Sequence, residues 1–70
     1  MTHTRITPVG GLRRDEIVRL DDRIVKVERV TEGALTYRGR TFDVTYVTGR
    51  SAEGRVELVI PSDRILIAGH

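Results

Sequence analysis

Thr41-Phe42-Asp43-Val44-Thr45-Tyr46-Val47 carries the pattern that decides the fold. Phe42, Val44 and Tyr46 occupy alternate positions, with Thr41, Asp43 and Thr45 between them. Side chains along a strand point alternately to its two faces, so a period of two describes a strand with one apolar face. The same period recurs at Arg55–Ile60, where Val56, Leu58 and Ile60 alternate with Arg55, Glu57 and an outward Val59. Composition agrees. Nine Val, six Ile and eight Thr stand against three Ala in 70 residues, and branching at Cβ disfavours helices while suiting a pleated surface. No helical stripe of useful length is free of Gly or β-branched runs, so the chain reads as all-β.

Upstream of that stretch, Arg38-Gly39 marks a hairpin turn, preceded by a short strand Ala34–Tyr37 and a turn at Thr31-Glu32-Gly33. Arg23–Val30 reads as the longest strand. Its apolar positions run as Val25 and Val27, then shift parity at Val30, which predicts a bulge near Glu28-Arg29. Asp21-Asp22 form a tight turn from Glu16–Leu20. Residues Met1–Leu12 are the least patterned. Thr2–Thr7 suits an edge strand, Pro8 cannot donate to a ladder, and Val9-Gly10-Gly11 reads as a turn. Downstream, Gly49–Gly54 reads as a polar loop, Pro61-Ser62-Asp63-Arg64 as a one-turn helix, and Ile65–Ala68 as the closing strand.

These elements predict one domain: residues 1–11 form an N-terminal arm or edge strand, and 12–68 a five- to six-stranded, partly open barrel. The expected inward set is Val18, Leu20, Val25, Val27, Val30, Leu35, Phe42, Val44, Tyr46, Val56, Leu58, Ile60, Ile65 and Ile67. Ile24, Val59 and Leu66 are expected outside it as an apolar patch.

The run Val59-Ile60-Pro61-Ser62-Asp63-Arg64-Ile65-Leu66-Ile67 resembles the SH3 segment in which a strand enters a Pro-Ser helical turn and then a final strand. Asp15–Leu20 and Arg23–Val30 resemble the opening hairpin of small bacterial barrels of the translation-factor and KOW type. The resemblance spans most of Leu12–Ala68 and implies an SH3-like barrel. It does not carry over the proline-rich ligand groove of peptide-binding SH3 domains, because there is no Trp and no tyrosine-rich opening motif. The Asp-Asn signature of Sm-like rings is missing too.

Charge and composition restrict function. Twelve basic residues face ten acidic ones, a formal balance of +2, and eleven of the bases are Arg. The absence of Cys removes disulfides, thiolate metal sites and thiol nucleophiles. No apolar run approaches the ~20 residues of a membrane span, and the N-terminus lacks a signal-peptide core, so the cytoplasm is the expected location. His3 and His70 sit at opposite ends and are expected to be solvated. Ser51 and Ser62 have no histidine on the scaffold to activate them. Asp15, Glu16, Asp21 and Asp22 lack the spacing of a calcium loop and are expected to be salt-bridged or solvated. The expectation is a non-enzyme with no cofactor, no metal and no small-molecule substrate. Start Met and length suggest a complete small reading frame, of a kind common in bacteria and phages.

Two binding readings follow. The first is protein–protein contact or self-assembly, since an unclosed barrel exposes edge strands and a chain this small has no staples. The second is nucleic acid, gripped at its phosphates by arginines in or beside loops. The candidate residues are Arg13, Arg14, Arg38, Arg40, Arg50 and Arg55, with Tyr37 as the one stacking platform.

Overall fold

The computed structural model describes residues 3–20 and 22–69; Met1, Thr2, Asp21 and His70 lie outside the described residues, and with them the readings made for His70 and for half of the Asp21-Asp22 turn. Six strands form a single antiparallel sheet: β1 (Thr4–Pro8), β2 (Ile17–Leu20), β3 (Arg23–Tyr37), β4 (Arg40–Ser51), β5 (Gly54–Pro61) and β6 (Ile65–Gly69). The order is β1-β6-β2-β3-β4-β5, so β1 and β5 are the free edges and the sheet does not close. No helix among the described residues is long and apolar enough to cross a membrane. The chain is all-β, as its composition predicts.

The core is small. Val9, Leu12, Val18, Leu20, Val25, Val27, Val47, Ile60, Leu66 and Ala68 form one buried cluster, against which Val30, Val56 and Leu58 pack. A 3-10 turn at Val9–Gly11 follows Pro8 and carries Val9 into that cluster. Its start is anchored by the Val9 N–H, which donates to the Arg64 carbonyl (2.9 Å). At Pro61–Arg64, where a one-turn helix was expected, the chain makes a single turn closed by the Arg64 N–H on the Pro61 carbonyl (3.1 Å).

The bulge falls where the parity shift placed it. The β3–β4 register slips between Val27 and Arg29; Val27 is buried, and Val30, of opposite parity, packs half-buried against the same core. Beyond it β3 does not turn at Thr31-Glu32-Gly33. These residues stay in the ladder opposite Tyr46, Thr45 and Val44, and the strand runs on to Tyr37. Gly33 serves as a gap rather than a turn: a Cβ there would meet the Tyr46 ring at 2.5 Å. Gly49 is likewise inside a strand, at the closest approach of β4 to β3, where a Cβ would collide with the Lys26 carbonyl and the Val25 side chain. The polar loop expected at Gly49–Gly54 therefore shrinks to a tight turn between Ser51 and its partner Gly54, with the Glu53 N–H donating to Ser51 Oγ (3.2 Å).

The inward set needs correction in three strands, β3, β4 and β6. Val44 is buried as expected, but Phe42 and Tyr46 on the same side of β4 are exposed, while the alternate residues Thr45 and Val47 are fully buried. Leu35, paired with Phe42, is exposed with it. In β6, Ile65 and Ile67 face out and Leu66 and Ala68 face in, so Leu66 leaves the expected apolar patch while Ile24 and Val59 remain in it. Thr45 tolerates burial because its hydroxyl hydrogen-bonds Ser62 Oγ (3.0 Å).

Past Val44 the β4 strand has no β5 partner, and past Lys26 the β3 strand has no β2 partner. Ala34–Asp43 is thus a two-stranded ribbon, exposed at all ten positions, and the molecule as a whole measures 46 × 25 × 20 Å. The radius of gyration, 12.4 Å, exceeds the about 11 Å of a compact 70-residue chain. Its tip is a two-residue turn with positive φ at both Arg38 (50°) and Gly39 (75°), the geometry that matches the twist of flanking strands. Arg38→Asn should raise stability by about 0.5–1 kcal/mol, because Asn enters this region more readily. Gly39→Ala should lower it by about 1–2 kcal/mol. Urea unfolding midpoints moving in opposite directions check both.

Candidate docking surface

Residues directly opposite in an antiparallel ladder share a face, so the register defines the surface of the ribbon. Leu35 faces Phe42, Tyr37 faces Arg40, and the row continues at the foot through Val44 opposite Pro61 and Tyr46 opposite Val59. Exposure is 45% at Leu35, 64% at Tyr37, 47% at Phe42 and 53% at Val59. An open groove of about 900 Å³ lies along the ribbon, lined by residues of both its faces, with the Pro61–Asp63 turn at one end. Asp43 and Asp63 also line it, beside the apolar row. The Ser62 N–H donates to the Asp43 carbonyl (3.0 Å), which fixes the turn against the first unpaired residue of β4.

The candidate arginines do not form one site. Arg38 and Arg40 stand at the ribbon tip with Tyr37, and the Arg38 guanidinium lies 5.4 Å from the Tyr37 ring centroid. That stacking is a cation–π contact. Arg50 and Arg55 are strand residues opposite each other at the other end of the β4–β5 ladder, and Lys26 faces Arg50 from β3. This row of three cations was not legible as a group, since Lys26 lies far away in sequence. Glu28 offsets it in part, at 3.6 Å from Arg50 Nε. Arg13 and Arg14 occupy the turn before β2, next to His3, Thr4, Arg5 and Glu16.

A second apolar area covers the outer face of the body. Ile6 and Ile67 face each other across β1 and β6, with Ile65, Ile17 and Ile24 also exposed. Among the described residues, no three metal-ligating side chains gather.

One polar cluster supports the architecture. Glu16 is buried and accepts from Arg5 through both oxygens, Nε to Oε2 (2.8 Å) and Nη2 to Oε1 (2.6 Å), and from the Arg13 N–H (2.7 Å). Arg5 also donates to the Gly11 carbonyl (2.5 Å). This clasp ties edge strand β1 to the start of β2. The Arg5 hydrogen bonds hold the Glu16 carboxyl down at about 2, against the opposing effect of burial and with help from the Arg13 N–H. The same contact raises Arg5 above its ordinary value.

No protein-family model matches the chain, and no curated protein or solved structure matches it significantly.

A carboxyl depressed by folding stabilises above its unfolded pKa and loses that stabilisation as pH falls through its folded one. For Glu16 the window runs from about 4.5 down to about 2. Glu16→Gln should destabilise the protein at pH 7 by on the order of 2–3 kcal/mol and flatten its stability profile across that window. Urea titrations at pH 7, 4.5, 3.5 and 2.5 measure both.

Proposed function

We propose that the chain is a non-catalytic docking module, an SH3-like body that presents the ribbon to another protein chain. The order β6-β2-β3-β4-β5, a meander whose last strand returns beside its first, supports the SH3-like reading. The observation that carries the function is the ribbon itself: ten consecutive exposed residues, with Leu35, Tyr37 and Phe42 on one face. Two strands alone are marginal in water, and an apolar face left to solvent on such an element marks a contact surface. Charge supports protein over nucleic acid here, because the charged residues lining the groove are Asp43 and Asp63, which repel a phosphate backbone.

A photo-crosslinking residue at Phe42 tests this in living cells. Adducts to protein at position 42 are expected; absence of any protein adduct along the ribbon refutes it. Leu35→Ser with Phe42→Ser should abolish the adducts of a probe at Tyr37 and leave the melting temperature nearly unchanged, since neither side chain is in the core.

The row Lys26, Arg50 and Arg55 favours a second reading, phosphate contact with a nucleic-acid backbone. Such binding weakens steeply with salt. Fluorescence titrations with duplex and single-stranded DNA at 50 and 200 mM salt, about a twofold change in Debye length, test it, with loss expected on Lys26, Arg50 and Arg55→Ala.

A further inference from the structure

We infer that β5 is a self-pairing edge: two copies of this chain join antiparallel, β5 to β5, about a two-fold axis at Val56. The surface is separate from the ribbon, and the inference does not depend on the docking reading. β5 is one of the two free edges of the sheet, and the ladder determines which of its backbone groups are free. The Ser62 N–H donates to the Asp43 carbonyl, and Val44 faces Pro61, which has no N–H to give. Hydrogen-bonded and non-hydrogen-bonded pairs alternate along an antiparallel ladder. Gly54, Val56, Leu58 and Ile60 therefore turn their backbone groups to β4, while Arg55, Glu57 and Val59 turn theirs to the open side. No backbone partner meets those three among the described residues. An edge of this kind is a template for another strand, and Pro61 confines the pairing to the residues before it.

Side chains select both the mate and the register. Arg55 and Glu57 stand opposite Arg50 and Thr48, so they share the outer face of β5, and both are exposed. Residues directly opposite across the joint share a face as well, so odd residues of one copy meet odd residues of the other. With the axis at Val56, Arg55 lies against Glu57 of the mate, and Glu57 against Arg55 of the mate. An axis at Arg55 or at Glu57 would set like charges together, and one at Leu58 would set Arg55 against Pro61. The Val56 register also completes a row. Lys26, Arg50 and Arg55 lie side by side across β3, β4 and β5, and Glu57 of the mate stands at the open end of those cations. On the inner face Val56 meets Val56 and Leu58 meets Gly54, which covers two half-buried side chains at the rim of the core. A cleft of about 400 Å³ beside Leu58, lined by Leu20, Arg23 and Glu53, leaves room on that side. Charged edge residues ordinarily keep strands apart, but opposite signs two residues apart are self-complementary, as an isologous contact requires. Reciprocal bonding at Arg55 and Glu57 supplies about four backbone hydrogen bonds. The covered area is on the order of 400 Å² per copy, below a standard interface. The dimer is therefore weak, with dissociation in the micromolar range or above.

Sedimentation velocity on the full chain from about 1 µM to 1 mM tests the pairing. The mass should rise with concentration from 7.9 kDa towards twice that value. Arg55→Glu sets acid against acid, and Glu57→Arg sets base against base; each variant should dissociate at least about tenfold more readily. Mixed together, they should associate again, because both contacts of the heterodimer are then complementary. Amide exchange followed by NMR reads the edge itself. The Arg55 and Glu57 amides should gain protection as concentration rises, while the Val56 amide, already turned to β4, changes little. Circular dichroism of each variant, expected to match the wild type, separates lost pairing from lost fold. A wild type that stays monomeric throughout that range overturns the pairing, as does a mixture that does not recover. So does a dimer whose Arg55 and Glu57 amides stay unprotected, or one abolished by Leu35→Ser with Phe42→Ser, because the ribbon would then be the interface. The docking reading fails separately, when the ribbon probe captures no protein at all.

Discussion

Val27 is the residue around which the chain changes its plan. Its N–H donates to the Glu16 carbonyl (2.8 Å) and its carbonyl accepts from the Asp15 N–H (2.8 Å), while its side chain is fully buried. Immediately after it the β3–β4 register slips. A bulge leaves backbone groups without ladder partners, and buried groups of that kind cost about 1–3 kcal/mol when unmet. Here the turn before β2 meets them, at the expense of a positive φ (72°) at Asp15. That turn is itself held by the Glu16 carboxylate, which binds Arg5 and the Arg13 N–H. One acidic side chain thereby links the edge strand, the first turn and the bend of the longest strand.

The bulge determines what the ribbon can be. Before it, β3 lies between β2 and β4 and buries Val25 and Val27 in the core; after it, only β4 remains alongside, and burial falls away by Ala34. The distal hairpin has to be held by local means. It uses a tip whose φ values suit the strand twist, a Thr36–Thr41 hydroxyl contact across the ladder (3.2 Å), and the stacking of Arg38 on Tyr37. Closer to the body, the absence of a side chain at Gly33 lets the Tyr46 ring lie across the strand, an arrangement that covers backbone a larger residue would displace.

Much of this was legible because it rests on local rules. The parity shift between Val27 and Val30 announced the bulge, and Arg38-Gly39 announced the tip. What was not legible was phase. Ile65-Leu66-Ile67-Ala68 is apolar at both parities, so its period of two cannot say which set faces the core; the 3-10 turn and the hydrogen bond from Val9 to Arg64 decide it. Phe42 and Tyr46 read as inward with Val44 because they alternate with Thr41, Asp43 and Thr45, yet only Val44 of the three is buried. Burial of Thr45 instead depends on Ser62, seventeen residues away. Gly33 read as a turn because glycine in a strand is costly, and only the position of the Tyr46 ring explains it. Following the Arg38-Gly39 turn outward would have paired Leu35 with Phe42, but not shown that they lie beyond the last supporting strand.

That location bears directly on function. Ordering a residue costs about 1–2 kcal/mol of backbone entropy, and in the body that cost is offset by burial. No residue of Ala34–Asp43 is buried, in a domain whose size leaves only a few kcal/mol of net stability. It is this imbalance on which the proposed docking role of the ribbon rests. Charge follows placement rather than total. A net charge of +2 says little about steering, whereas the ladder gathers Lys26, Arg50 and Arg55 into one row at the far end of β4 and leaves Arg38 and Arg40 at the ribbon tip.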